Sequence, residues 1–182
     1  MIRPQQGNLL IANPHLDDPN FLRSVILLCE HNSEGSVGFV LNHKTSYTIE
    51  DIIPDFSGFK NPIYEGGPVE LNTLHYIHQY PDITGAIEIT NNIFWGGEFD
   101  EITQRIFAKK IEPQKIKFFL GYSGWGESQL NFEMDEKTWI ITNATKNFLF
   151  SDNDEDLWKM VLKSMGGEYE WIVNAPINPQ LN

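Results

Sequence analysis

The residues best suited to chemistry crowd one stretch, "NPHLDDPNFLRSVILLCEH", Asn13 to His31. It holds two histidines, two aspartates, a glutamate, an arginine and the chain's single cysteine. His15, Asp17 and Asp18 are nitrogen and oxygen ligand types of the kind a divalent cation takes. H-x-D-D is not a chelating pattern, however, and adjacent aspartate side chains diverge. Asp18 before Pro19 reads instead as an N-cap with proline at the first helical position, a favoured entry to a helical turn. Phe21 and Leu22 would anchor that turn to the core, and Arg23 could return to Asp17 or Asp18 as an ion pair. Cys29 and His31 lie two apart, so on a strand they would share a face. Such a pair can generate a thiolate nucleophile, but a cysteine in an apolar run is more often core filler. Glu30 would face the other way, toward Arg23 or the next loop.

Three later motifs carry weaker signals. "YEGGPV", Tyr64 to Val69, presents Gly66 and Gly67 without the Lys and Ser/Thr of a phosphate-binding loop or the spacing of a dinucleotide fingerprint. Close backbone approach in a turn is the better reading. His75 and His78, three apart on a strand, would point to opposite faces, against shared ligation. "GYSGWGESQL", Gly121 to Leu130, sets Ser123 between Tyr122 and Trp125 in a glycine loop, but the full G-x-S-x-G pattern of a nucleophile elbow is missing. It reads as a strand-to-helix junction capped by Ser123, or as a small-ligand rim made by Tyr122 and Trp125. No metal or cofactor set emerges, and no Ser-His-Asp set follows from spacing alone.

The elements that position these residues follow from pattern. "GNLLIANP", "SVILLCEH" and "VGFVLNH" read as strands, the last two joined by the "NSEGS" turn. "YTIEDIIPDF" fits a short helix with Thr48 as N-cap, Asp51 completing a capping box and Pro54 as the stop. "PIYEGGPVE", "TLHYIHQYP", "GAIEIT" and "NIFWGGEF" are short and aromatic or alternating, as strands are. "DEITQRIFAKK" has helical spacing, with acids first and lysines last. "KIKFFLGYSGW" is a strand running into the glycine loop. "GESQLNFEMDEKTW" leans toward a short helix, and "WIITNA" toward a strand. "DEDLWKMVLKSMGG" is the clearest helix, with Leu157, Val161, Leu162 and Met165 on one face and Gly166-Gly167 as its cap. Strands and helices mix without βαβ alternation, so the class is α+β.

Composition narrows the function classes. The 182 residues suit a single domain over 1–182, with a core about 7–167 and a C-terminal tail 168–182. A net charge of −12 opposes nucleic acid. The most basic stretch, Arg105 to Phe118, reads as a solvated helix face leading into a strand. One cysteine excludes an internal disulfide and a multi-thiolate zinc site. No apolar run reaches the length of a membrane span, and the start lacks the features of a signal peptide, so a cytoplasmic protein is expected.

Taken in order, "GNLLIANPHLDDPNFLRSVILLCEHNSEGSVGFVLN", "IYEGGPV", "FLGYSGWGESQL" and Thr138-Trp139 resemble the YqgE/AlgH family of bacterial proteins, over roughly Gly7 to Gly167. The chain departs from that pattern at His43-Lys44 and at Glu127-Ser128, and Cys29 is not part of it. The resemblance implies a single α+β domain with a mixed, partly barrel-like sheet and several short helices packed on it. It implies no established activity, only a transcription-regulator label. No helix-turn-helix is visible.

Two functional readings follow. The first is a binding or regulatory module without direct DNA contact, its surface drawn from Asp18, Arg23, Glu30, His31, Asn42, Gly66, Gly67, Tyr122, Ser123 and Trp125. Its partner would be a protein or a small molecule, with a homo-oligomer also open. The second is a hydrolase using His31 with Glu30 or Asp18 as base.

Overall fold

The computed structural model describes residues 3–167 and 169–173. Of the expected tail, 168 and 174–182 lie outside the described residues. The chain forms β1 (Asn8–Ala12), β2 (Val25–Asn32), β3 (Gly35–Val40), β4 (Lys44–Thr48), α1 (Ile49–Ile52), β5 (Pro62–Glu65), β6 (Val69–His78), β7 (Ile87–Thr90), β8 (Ile93–Trp95), α2 (Phe99–Phe107), β9 (Ile116–Gly126), α3 (Gln129–Asp135), β10 (Trp139–Asn143), α4 (Lys146–Leu149), α5 (Leu157–Met165) and α6 (Tyr169–Ile172). This is an α+β domain built on one mixed ten-stranded sheet. Its main path runs β10-β1-β2-β3-β9-β6-β8-β7, with β4 and β5 as a branch. Every pairing is antiparallel except β5 on β9.

The path curls but does not close into a barrel among the described residues. The amide of Gln6, just before β1, reaches the Glu88 and Ile89 carbonyls of β7 at 3.0 and 3.3 Å, so a side-chain contact links the segment before β1, the strand next to the β10 edge, to the opposite edge strand. Both faces of the inner strands are covered. In β2, Val25, Leu27 and Cys29 join a core with Trp158, Val161 and Leu162 of α5, while Ile26 and Leu28 face Leu130 and Trp139 on the other side. That is why "VILLC" reads as a continuous apolar run rather than an alternating one. A third cluster under α1 and α2 gathers Ile49, Phe56, Ile102, Ile106 and Phe118.

Several expectations change in register. Asp18-Pro19 starts no helix: the Asp18 carbonyl accepts the Phe21 N–H at 2.9 Å and its Oδ1 accepts the Asn20 N–H at 2.9 Å, an isolated turn. Phe21 anchors it by an edge contact with Trp139, 5.6 Å between centroids, whereas Leu22 is exposed. A bulge at Cys29 shifts the pairing from Leu28 opposite Gly38 to Glu30 opposite Val37. The extra residue sends His31 to the Leu28 side while Cys29 stays with Leu27, so the two do not share a face. "GYSGW" is not a loop either, because β9 continues through it to Gly126 and pairs with β3. The capping box is present: Asp51 Oδ2 accepts from both the N–H and hydroxyl of Thr48 at 2.8 Å. Pro54 ends α1 by opening a single 3-10 turn.

β9 is the strand on which the rest is assembled. Its first half holds β5 and most of β6, and its second half holds β3. The change of partner falls at Gly121, where φ is +68°, and a Cβ there would lie 2.7 Å from the Gly67 carbonyl oxygen. A Cβ on Gly67 would in turn meet the Tyr122 carbonyl at 2.3 Å. Glycine at both positions lets two backbones touch. Gly121→Ala should therefore cost more than about 2 kcal/mol in urea denaturation. Gly58→Ala, at a positive φ with nothing within 4 Å of its Cβ, should cost about 1 kcal/mol. Equal costs would contradict a backbone clash at the joint.

Candidate functional site

The residues singled out by the sequence separate along β2. At its start, the Asn42 amide pins the strand: its Oδ1 accepts the Val25 N–H at 2.9 Å and its Nδ2 donates to the Arg23 carbonyl at 3.0 Å. The Arg23 guanidinium lies over the Trp158 ring at 4.8 Å. Asp18 sits in the turn just before. At the far end, His31 Nδ1 meets the Ser36 hydroxyl at 2.7 Å across the β2–β3 ladder, and Glu30 accepts from the Asn32 amide at 2.7 Å. Glu30 and His31 lie five and six residues along β2 from Val25, roughly 17–20 Å at ~3.3 Å per residue. Asp18, Arg23 and Asn42 therefore cannot share a small-molecule pocket with Glu30 and His31.

The glycine and aromatic candidates work in the same architecture. The Ser123 hydroxyl, fully buried, donates to the Gly66 carbonyl at 3.0 Å, which also accepts the Val40 N–H at 2.9 Å. Tyr122 and Trp125 leave β9 on opposite faces. Tyr122 packs with His75 and the α5 core, while Trp125 packs edge-on against Trp139, 6.0 Å between centroids. One Glu133 oxygen accepts both indole N–H groups at 2.8 Å, and the other accepts the Gln129 amide at 2.9 Å. Glu30, Ser36, Tyr122 and Trp125 do border a shared, shallow depression of about 380 Å³. It presents no buried polar atom without a partner.

The group with unused chemistry lies elsewhere. Lys117, on β9 between Ile116 and Phe118, is only 5% exposed. Its Nζ stands 3.9 Å above the Tyr64 ring, a cation–π contact, and 3.7 Å from Asp154 Oδ1. Neither Nζ nor Oδ1 has a hydrogen-bond partner. The other carboxylate oxygen accepts the Tyr64 hydroxyl at 3.0 Å and faces Lys44 Nζ at 3.7 Å. Burial lowers the Lys117 ammonium from the ordinary lysine range to about 8, against the opposing pull of Asp154. Burial and the Asp154 charge push the Tyr64 phenol up.

Topology explains the placement. Tyr64 pairs with Phe119 in the parallel β5–β9 ladder, so its ring lies on the face that Lys117 shares with Phe119, two residues on. Asp154 arrives on the loop between α4 and α5. Lys117, Tyr64, Ile116, Phe150, Ser151 and Asp152 border a cleft of about 480 Å³. Asn61 closes one side, its amide already donating to the Pro113 and Ile116 carbonyls at 2.7 and 3.0 Å. This cluster was missed in the sequence. The available signal is a lysine on the inward face of "IKFFL", where alternation calls for an apolar residue; Asp154 stands at the head of the "DEDLWKMVLKSMGG" helix pattern and carries no sign of its partner.

A second cavity, about 500 Å³, is lined by Leu74, His75, Tyr76, Trp95 and Phe99. His75 and His78 lie on opposite faces of β6, as three-residue spacing requires: they pair with Phe119 and Ile116, which belong to different cores. The wholly buried His78 is fixed as one neutral tautomer. Its Nδ1 accepts the Tyr80 N–H at 3.2 Å, so Nε2 carries the proton and donates to the Gly96 carbonyl at 2.8 Å. Among the described residues, no group of three or more His, Cys, Asp or Glu is placed to hold a metal, and no helix is long and apolar enough to cross a membrane.

Two outcomes follow. Glu133→Ala strands two buried indole N–H groups and should lower stability by about 2 kcal/mol or more, read by tryptophan fluorescence during denaturation; no change would contradict the shared acceptor. Burial lowers His78, His75 and His43 below the ordinary imidazole value of 6.5. The stability they contribute is present above that value and lost as pH falls through their folded-state values. Unfolding free energy should drop below about pH 6.5, with a shallower slope in His78→Leu. An unchanged slope would contradict the His78 assignment.

Residues 9–170 match the family model described as AlgH-like. A UPF0301 protein of Chlorobium limicola is 43% identical over 182 residues, covering 100% of this chain and 96% of its own. A crystal structure of a Corynebacterium diphtheriae protein superposes with a TM-score of 0.82 at 19% identity, covering 96% of this chain and 94% of that one. The solution structure of the AlgH protein from Pseudomonas aeruginosa gives 0.74 at 24% identity, covering 97% and 98%. At those identities the two structures speak to the fold alone. The family match and the curated relative, both spanning nearly the whole chain, establish that this chain belongs to the AlgH-like, UPF0301 family.

Proposed function

We propose that this protein is a cytoplasmic binding module that takes a small molecule in the Lys117 cleft and makes no direct contact with DNA. The observation that carries the reading is the Lys117 ammonium, buried beside the cleft without a hydrogen-bond partner. Asp154 balances the charge only from 3.7 Å and leaves the hydrogen-bonding capacity of the buried ammonium unused, a cost that a bound acceptor would relieve. Tyr64, Ile116 and Phe150 supply apolar walls, and Lys60 adds an exposed cation at the rim. The occupant that suits these walls is small, partly apolar, and presents a carbonyl or carboxylate oxygen.

The charge pattern supports the absence of DNA contact. Of the five basic residues between Arg105 and Phe118, Arg105 pairs with Asp82 and Glu101, Lys115 with Glu112, and Lys117 with Asp154. Within that stretch only Lys109 and Lys110 are left outside these ion pairs, too few to oppose a net charge of −12. Any effect on transcription would pass through the bound molecule or a protein partner. The hydrolase alternative has less support: His31 is engaged with Ser36, Glu30 turns to Asn32, and Asp18 lies beyond the opposite end of β2.

Titration of the 15N-labelled protein with pyruvate tests the reading. Amide shifts should concentrate at Asn61, Gln114, Ser151 and Asp152. No shifts, or shifts confined to the Glu30–Tyr122 depression, would overturn it.

A further inference from the structure

Lys117 has a second property that binding alone does not require. An ammonium placed only to neutralise Asp154 would sit within hydrogen-bond distance of it, yet Nζ and Oδ1 stand 3.7 Å apart and each lacks a partner. The carboxylate is held from the other side, by the Tyr64 hydroxyl on Oδ2, so Oδ1 is free to take a proton. The Tyr64 ring lies under Nζ and favours a cation there in any form, ammonium or iminium.

We propose that Lys117 is an amine nucleophile that captures small carbonyl compounds from the cleft as an imine. This rests on the cleft being the binding site. Asp154 Oδ1 takes a proton from the ammonium, and the freed nitrogen pair forms a C–N bond to the carbonyl carbon while the C=O π pair moves to oxygen. That oxygen takes one further proton from the nitrogen and then the proton held on Asp154, and it departs as water while the nitrogen pair forms the C=N bond. Two of the ammonium's three protons leave in the water and the third remains on the iminium, so ammonium plus carbonyl gives iminium plus water without a redox partner.

The groups that face Nζ are Asp154 and Asp152 from the α4–α5 loop, Lys44 from β4 and Tyr64 from β5. Burial outweighs the two carboxylates and leaves the amine near 8, so about a tenth is unprotonated at pH 7, against less than about a thousandth for an ordinary lysine. Nζ itself is shielded from solvent, and Phe150, Ser151 and Asp152 of the loop that carries Asp154 border the cleft beside Lys117, so a carbonyl compound reaches the amine when that loop shifts.

The test uses the full chain at pH 7.5 with sodium cyanoborohydride and, in separate arms, propanal or pyruvate, followed by peptide mass mapping. Lys60 borders the same cleft and is 75% exposed, so exposure alone favours it over Lys117. The expected result is modification of Lys117 about tenfold faster than Lys60 or more. Modification by propanal alone assigns aldehydes, and by both assigns 2-oxo acids as well. Lys117→Arg should remove that adduct, and the wild-type site map stands on its own if the variant does not fold. Lys117 modified no faster than Lys60 in either arm would overturn the proposal. Pyruvate-induced shifts at the cleft without an adduct would overturn the imine while leaving the binding site; neither shifts nor adduct would overturn both.

Discussion

The contact on which the molecule depends is backbone against backbone. Gly66 and Gly67 lie directly on β9 at Gly121 and Tyr122, closer than any side chain would permit. The Gly66 N–H donates to the Leu120 carbonyl at 2.8 Å, and its own carbonyl receives both Ser123 and Val40. That joint lets one strand serve two halves of a sheet: β5 and β6 on one side of Gly121, β3 on the other. It also sets β5 in register with β9, which is what brings the Tyr64 ring beneath Lys117. The polar cluster is thus a consequence of the glycine joint rather than a separate feature.

The same joint explains why the conspicuous motifs hold so little free chemistry. "YEGGPV" and "GYSGWG" are its two surfaces, and their glycines are there for approach. The aromatic residues around them are pinned by polar partners: Trp125 and Trp139 by one Glu133 oxygen, Trp158 by the Ala12 carbonyl at 2.8 Å. A buried indole needs an acceptor, so each of these contacts fixes orientation as well as area. The stretch from Asn13 to His31 likewise resolves into a capped turn, a pinned strand start and a bulged strand end.

Much of the fold was legible in pattern. The apolar run of β2, the Thr48–Asp51 capping box and the Leu157–Met165 helix all appear where periodicity and caps place them. The bulge at Cys29 was not legible, because an inserted residue leaves no mark in a run that is apolar on both faces. The continuation of β9 through "GYSGW" was hidden because glycines that permit backbone contact look like loop glycines in one dimension. Lys117, Tyr64, Lys44 and Asp154 lie up to 110 residues apart. The antiparallel β4–β5 pairing sets Lys44 opposite Tyr64, and the parallel β5–β9 pairing and the α4–α5 loop add Lys117 and Asp154; neither of the last two has a local signature.

The fold thus holds an amine buried over the Tyr64 ring and 3.7 Å from the Asp154 carboxylate. The most direct measurement is the titration of Lys117 by NMR of its side-chain 13Cε and 15Nζ in the native protein. A midpoint near 8 is expected, with Asp154→Asn moving it lower still by removing the favourable charge. A midpoint near the ordinary lysine value of about 10.4 would contradict it.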